Sequence, residues 1–293
     1  MSVILLRIKN NTEEYMKSKY LSVNAIILSC ILMIILSSCN RINTDEDRFF
    51  VDNDNRLRMI DIKKTGPDIV VPEKVGDKVI RIIYLEDSYF SKIDSIDVSN
   101  VSELEYFTLE LWGGGSYSKL KRLDFRKNKK LRDVTVNKTK ALEEITFNKN
   151  CETVCLYNTS VKELDLKSMK KLEYFDYFNG PLESIDLSNN TNLDQVWMKN
   201  TNVKTIDIKT LKKLKYFIYQ GGPLEEIDIS NNPDLKTVKV FDSNVKVLDV
   251  SNNPKLERIE VDEGTEIIGE TNAEIIYWTK EEIEKVKEKS KDN

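Results

Sequence analysis

The sequence predicts a mainly β solenoid: stacked short turns, each contributing an extended strand, ending in a short charged C-terminal helix or tail. Three observations predict it. Apolar residues recur at an unbroken 21-residue spacing: Leu172, Leu193, Leu214, Leu235 and Leu256 form one series, and Val161, Leu182, Val203, Leu224 and Val245 another. Residues 167–208 and 209–250 align without gaps at 22 identities in 42 positions, and a 41-residue relative occupies 126–166. Turn-forming pieces (FNGP, SNN, KNTN, QGGP, SNNP, DSN) separate the apolar segments.

Each 42-residue unit is two turns of 21. One series reads LESIDL, VKTIDI, LEEIDI, VKVLDV; the other reads LEYFDY, LDQVWM, LKYFIY, LKTVKV, LERIEV. Extended segments alternate sides with period two, so the fourth and sixth residues point inward and the third, fifth and seventh outward. A single 21-residue turn cannot bury its apolar side; stacking turns at about 4.8 Å per strand does.

This pattern resembles the leucine-rich repeat, specifically the short 21-residue bacterial class with a nested half-repeat, over roughly residues 93–262. The resemblance implies a curved, right-handed stack of parallel strands in which the LEYFDY-type series lines the concave sheet. Upstream, TGPDIVVPEKVGDKVIRIIYLEDSYF (65–90) departs from the 21-residue register. It resembles the first unit of BspA-like bacterial surface leucine-rich repeats, which implies an N-terminal cap over 51–92. The solenoid is then expected over 93–278, with EGTEIIGETNAEIIYW (263–278) closing the other end. Thr279-Lys280-Glu281-Glu282 fits a capping box, and 279–293 reads as a charged helix or a frayed tail.

The N-terminal 38 residues read as an export signal. Met16 looks like the true start; residues 1–15, with Glu13 and Glu14 ahead of the signal, stand outside the fold reasoning. A mostly apolar run, Leu21 to Leu36, follows Lys17 and Lys19, and Leu36-Ser37-Ser38-Cys39 comes next. That tetrapeptide resembles the bacterial lipobox. The resemblance implies lipidation of Cys39, cleavage before it, a tether over 39–50, and a place in the bacterial cell envelope at the outer membrane or cell surface. The alternative is an uncleaved anchor with an incidental cysteine. Two or three acyl chains, at about 0.8 kcal/mol per buried methylene, hold a protein stably on a bilayer.

Composition narrows the chemistry. The chain contains no histidine, which removes the commonest general base and metal ligand. The cysteines (Cys30, Cys39, Cys151, Cys155) form no metal-binding spacing. Cys151 falls on an inward position, as a small core residue; Cys155 falls on an outward one, as an accessible thiol or a structural residue. The net charge of -4 argues against phosphate-backbone binding, which needs clustered positive charge, so no nucleic-acid partner is expected. Neither catalytic residues, cofactors, metal nor a small-molecule substrate is expected.

Two features stand out on the expected surface. Large side chains fall on outward positions of the LEYFDY-type series: Tyr157, Tyr174, Phe178, Trp197, Tyr216, Ile218 and Phe241. Exposed apolar area of this kind marks interaction sites; the competing reading is cross-strand stacking that stiffens the sheet. LELWGGGSYSKL (109–120) inserts Trp112 and three glycines where a short turn belongs, making Trp112 a further candidate contact. The other series carries an aspartate ladder: Asp97, Asp124, Asp165, Asp186, Asp207, Asp228 and Asp249. Stacked carboxylates repel unless they find donors or cations, so each is expected to accept from turn N–H groups or neighbouring lysines, with calcium as the alternative. Residues Lys162, Glu183, Lys204, Glu225 and Lys246 alternate in charge along the stack, which predicts side-by-side pairing.

These features point to a surface lipoprotein that binds a protein ligand through the concave face, in adhesion or host and cell interaction. The alternative is a periplasm-facing scaffold or immunity-type inhibitor for a partner from the same cell.

Overall fold

The computed structural model describes residues 49–60, 66–86, 93–110 and 119–291. Cys30, the export signal, Cys39 and its expected lipid, and Trp112 with its glycine-rich loop lie outside the described residues. Over the described residues the chain forms the expected mainly β, parallel-strand solenoid with one short C-terminal helix.

Most of the long strands stack into a 12-stranded sheet. Its repeating members are β8 (Tyr106–Glu110), β10 (Asp133–Asn137), β12 (Thr153–Tyr157), β13 (Tyr174–Phe178), β14 (Gln195–Lys199), β15 (Tyr216–Gln220), β16 (Thr237–Phe241), β18 (Arg258–Asp262) and β20 (Glu274–Trp278). All pair in parallel and in register, so equivalent residues of successive turns sit side by side, as Tyr174, Gln195 and Tyr216 do. The sheet extends upstream through β6 (Ile82–Glu86) and β2 (Arg56–Ile60) and ends on an antiparallel β1 (Phe49–Val51). Segments expected as a cap therefore add strands to the same sheet. A small hairpin, β4 (Lys74–Val75) with β5 (Lys78–Val79), follows Pro72.

The LESIDL-type series is extended but pairs only in short two-stranded pieces: β3 (Asp68–Val70) with β7 (Ser95–Asp97), β9 (Arg122–Asp124) with β11 (Glu144–Thr146), and β17 (Val247–Asp249) with β19 (Glu266–Ile268). Between the two series lies one continuous apolar core running from Phe49 to Val261. The inward residues behave as the period-two reading requires: Phe175, Tyr177, Val196, Met198, Phe217 and Tyr219 are all fully buried. Cys151 is in this core, where burial pushes its thiol up to about 12.

Two devices lock turn to turn. After each of β12 to β16 the chain enters the left-handed region, at Asn158, Asn179, Asn200, Gly221 and Asp242 (φ between 51° and 70°). Asparagine tolerates this conformation, and its amide is then free to donate to the next: Asn179 Nδ2 donates to Asn158 Oδ1 (3.3 Å) and Asn200 Nδ2 to Asn179 Oδ1 (2.5 Å). On the other side, Asn190, Asn232 and Asn253 are buried, and each donates its amide to two backbone carbonyls of the preceding turn at 2.8–2.9 Å. Read as plain turn residues in SNN, they are internal cross-braces.

The aspartate ladder is scaffold. The Oδ1 atoms of Asp97, Asp124, Asp165, Asp186, Asp207, Asp228 and Asp249 each accept the backbone N–H two residues on, at 2.8–3.2 Å. Serine hydroxyls or an arginine add to this and hold Asp124, Asp186, Asp228 and Asp249 below the usual carboxylate range. Along this ladder Arg126 pairs with Asp124 (2.6 Å) within its turn, and between turns Lys167 pairs with Asp186 (3.5 Å) and Lys209 with Asp228 (3.3 Å). The side-by-side contacts at the alternating Lys162–Glu183 and Lys204–Glu225 positions are backbone ones: Glu183 N–H donates to the Lys162 carbonyl and Glu225 N–H to that of Lys204.

The chain ends in α1 (Lys280–Lys291), set by a capping box. Glu282 N–H donates to Thr279 Oγ1 (3.2 Å) and Thr279 N–H to Glu282 Oε2 (3.1 Å). Ile283 is buried, and Lys287 Nζ reaches Asp242 Oδ1 at 2.8 Å, fixing the helix beside the end of β16.

Candidate binding face

The outward positions of the long strands form three columns, because the strands are parallel and unstaggered. The first holds Tyr174, Gln195 and Tyr216; the central one Cys155, Asp176, Trp197, Ile218, Lys239, Glu260 and Ile276; the third Tyr157, Phe178, Lys199, Gln220 and Phe241.

This face is drier than the sequence suggests. Among the described residues, six buried apolar side chains lie outside the interior core, and five of them (Cys155, Tyr174, Ile218, Phe241 and Ile276) are on outward positions; the sixth is Ile283 of α1. The expectation of free solvent exposure is therefore corrected for Tyr174, Ile218 and Phe241, which are 5%, 6% and 6% exposed. Cys155 is corrected likewise: it faces outward but is buried between its neighbours, so it is not an accessible thiol. Tall side chains 4.8 Å apart lean over one another and shut out water. Tyr157, Phe178, Trp197 and Tyr216 stay half-buried, each with part of a ring reaching solvent. The Tyr157 and Phe178 rings meet at 5.3 Å between centroids.

At the centre lies Asp176, fully buried on the outward side. Its Oδ2 accepts from the Tyr157 hydroxyl at 2.6 Å and the Tyr174 hydroxyl at 2.9 Å. Burial pushes the Tyr157 phenol well above its ordinary value, and the Asp176 charge adds to this, so Tyr157 stays a donor. Trp197 is its cross-strand neighbour. Two tyrosines on adjacent strands thus point their hydroxyls at one carboxylate.

A second carboxylate, Glu260, is buried in the same column near the C-terminal end. Lys239 Nζ approaches its Oε1 at 2.9 Å, Arg258 Nε donates to Oε1 at 2.6 Å, and Trp278 Nε1 donates to Oε2 at 2.9 Å. Burial alone would raise its pKa; the two cations outweigh that and hold it below the usual range. Beside it, Phe241 and Trp278 stack face to face, 4.8 Å apart at 10°. Phe241 immediately precedes Asp242, the residue that Lys287 of α1 grips, so the C-terminal helix is tied to the strand that carries this ring.

Sequence reasoning missed Asp176 and Glu260 as organisers. Their outward register was readable, but a carboxylate among aromatics on a solvent side gives no sign of burial until neighbouring turns are stacked. Among the described residues, no group of three or more histidine, cysteine or acidic side chains could hold a metal ion.

No family model matches the chain, and no curated protein matches it. Among solved structures, the functional domain of InlJ from Listeria monocytogenes matches at 16% identity and a TM-score of 0.36. That match covers 71% of this chain and 63% of the other, so the chain spans less than two thirds of that domain's length. An internalin from the same organism matches at 14% identity and a TM-score of 0.39, covering 73% of this chain and 82% of the other. A leucine-rich-repeat protein of Leptospira interrogans matches at 12% identity and a TM-score of 0.41, covering 71% and 70%. At these identities and scores the matches carry no argument, and the fold rests on the register of the chain's own strands.

Proposed function

We propose that this chain is a binding module, not an enzyme, and that a protein ligand docks on the outward face of the 12-stranded sheet around Trp197 and Tyr216. The observation that supports this reading is the aromatic layer organised by buried Asp176. Half-buried Tyr157, Phe178, Trp197 and Tyr216 surround it on strands β12 to β15. Such rings offer large contact area at small entropic cost because their neighbours already hold them. Tyr174, Ile218 and Phe241 are buried on the same outward face. In this reading a lipid on Cys39 holds the module at the bacterial envelope, and Trp112 adds a further contact.

The test is affinity capture from candidate target cells. The Trp197→Ala/Tyr216→Ala variant should keep its melting temperature to within a few degrees and lose the protein that the parent retains. Equal retention by parent and variant would sink the proposal.

A further inference from the structure

Stacking also concentrates charge in a way that composition hides. Seven successive turns lead into the long strands from β10 to β18: 126–130, 148–151, 167–171, 188–192, 209–213, 230–234 and 251–255. Together they hold twelve basic residues (Arg126, Lys127, Lys129, Lys130, Lys149, Lys167, Lys170, Lys171, Lys209, Lys212, Lys213, Lys255) and one acid, Asp234, in a chain whose net charge is -4. All twelve are exposed. Contacts between turns place them on one edge: Asn192 Nδ2 donates to the Lys170 carbonyl (2.8 Å), Lys213 Nζ to Asn192 Oδ1 (2.7 Å), Lys212 Nζ to Asn231 Oδ1 (2.8 Å) and Lys255 Nζ to Asp234 Oδ1 (2.6 Å).

The 42-residue duplication sets the spacing. RKNKK, KSMKK and KTLKK fall on every second turn, so basic clusters repeat at roughly 10 Å along an edge of about 30 Å. The LESIDL-type series on the other side of the core carries both signs, for example Lys162, Glu183, Lys204, Glu225 and Glu226.

We infer that this basic edge rests on an anionic phospholipid surface. Arg126, Lys130, Lys167, Lys209 and Lys255 pair with carboxylates, and Lys127, Lys129, Lys149, Lys170, Lys171, Lys212 and Lys213 form a row of flexible ammonium groups, which suits a plane of phosphate headgroups. The seven turns contain no aromatic ring, so the stacking platforms that accompany single-stranded nucleic-acid grooves are missing from this edge. The chain's own apolar run before Cys39 also points to a bilayer. Resting on this edge, the strands stand upright with their N-terminal ends at the membrane, and the outward face is turned sideways, clear of lipid.

Vesicle sedimentation tests this without the N-terminal segment. Residues 44–293 form one compact unit containing the whole core, and that fragment has 40 basic against 47 acidic side chains, so bulk attraction to anionic lipid is not expected. It should sediment with phosphatidylglycerol/phosphatidylcholine vesicles at low salt, detach as salt rises, and ignore phosphatidylcholine alone. Reversing Lys170, Lys171, Lys212 and Lys213 to Glu should weaken binding by about tenfold or more, whereas Lys162→Glu/Lys204→Glu should leave it unchanged. If the reversal variant melts early, the same four positions as Gln carry the test. Absence of binding to the anionic vesicles, equal loss in both variants, or tighter capture by soluble dextran sulfate than by vesicles would each overturn the inference.

Discussion

The two faces of the long sheet are built from alternate residues of the same strands, yet they are buried by different means. The inner face meets the opposite series across a closed core, so Phe217 and Tyr219 are dry because another part of the chain is always above them. Ile218, between those two residues, faces outward and is also dry, but only because its neighbours in the stack lean over it. The inner face is therefore fixed by tertiary closure and the outer one by lateral packing, which a partner could extend without rearranging the fold.

Substitutions at adjacent positions should separate the two. Phe217→Ala opens a cavity that the closed core cannot fill and should cost about 3–5 kcal/mol in urea unfolding. Next comes Glu260→Ala, which removes the carboxylate that Lys239 and Arg258 share. Loss of a buried pair's partner costs about 3–5 kcal/mol, and the low end applies because both cations can swing to water. Ile218→Ala should cost less, about 2 kcal/mol, since water can reach the vacated site. An Ile218→Ala loss equal to that of Phe217→Ala would erase the distinction.

Glu260 also gives the outer face a pH signature that the inner face lacks. Its folded pKa lies below the ordinary 4.5, so its ionisation stabilises the fold above about that pH, and the contribution disappears as pH falls through the folded value. Melting curves between neutral and acid pH should show a fall for the parent that is shallower in Glu260→Gln. Parallel curves for parent and variant would remove Glu260 from the account.

The same contrast explains what could be read in advance. The inner face was legible residue by residue, because a 21-residue spacing of Leu172, Leu193 and Leu214 has one burial-consistent side. The outer face was legible only as register: Tyr174 and Trp197 were correctly placed outward, but their heights and leaning, and hence the burial of Asp176 and Cys155, depend on which side chains adjoin them on the neighbouring turns. The buried asparagines carried a signal that passed unread. Asn190 and Asn232 share a 21-residue column with Met169 and Leu211, and a column that alternates asparagine with apolar residues is an interior one. The basic edge failed for a different reason, since a net charge sums over surfaces that the fold separates.

The smallest effect concerns why the repeat is 42 residues when the turn is 21. On the inner face, Tyr177 and Tyr219 alternate with Leu156, Met198 and Val240 at the same strand position. Each tyrosine hydroxyl donates inward to a carbonyl, Val161 O at 2.6 Å and Val203 O at 2.8 Å. Three residues after each tyrosine stands glycine, Gly180 or Gly222, while Leu156, Met198 and Val240 are followed at that distance by Thr159, Thr201 and Ser243. A Cβ on Gly222 would overlap the Tyr219 hydroxyl, so the large residue and the missing side chain are one unit, alternating with a smaller residue and a hydroxyl-bearing one. Tyr219→Phe should cost about 1 kcal/mol for the lost hydrogen bond. Gly222→Ala should cost more than that in the parent and less in the Tyr219→Phe background, where the hydroxyl is gone; part of the penalty persists because the Thr201 carbonyl also crowds the site. A double-mutant cycle by urea unfolding measures this coupling. Strict additivity would mean that tyrosine and glycine were duplicated together without depending on each other.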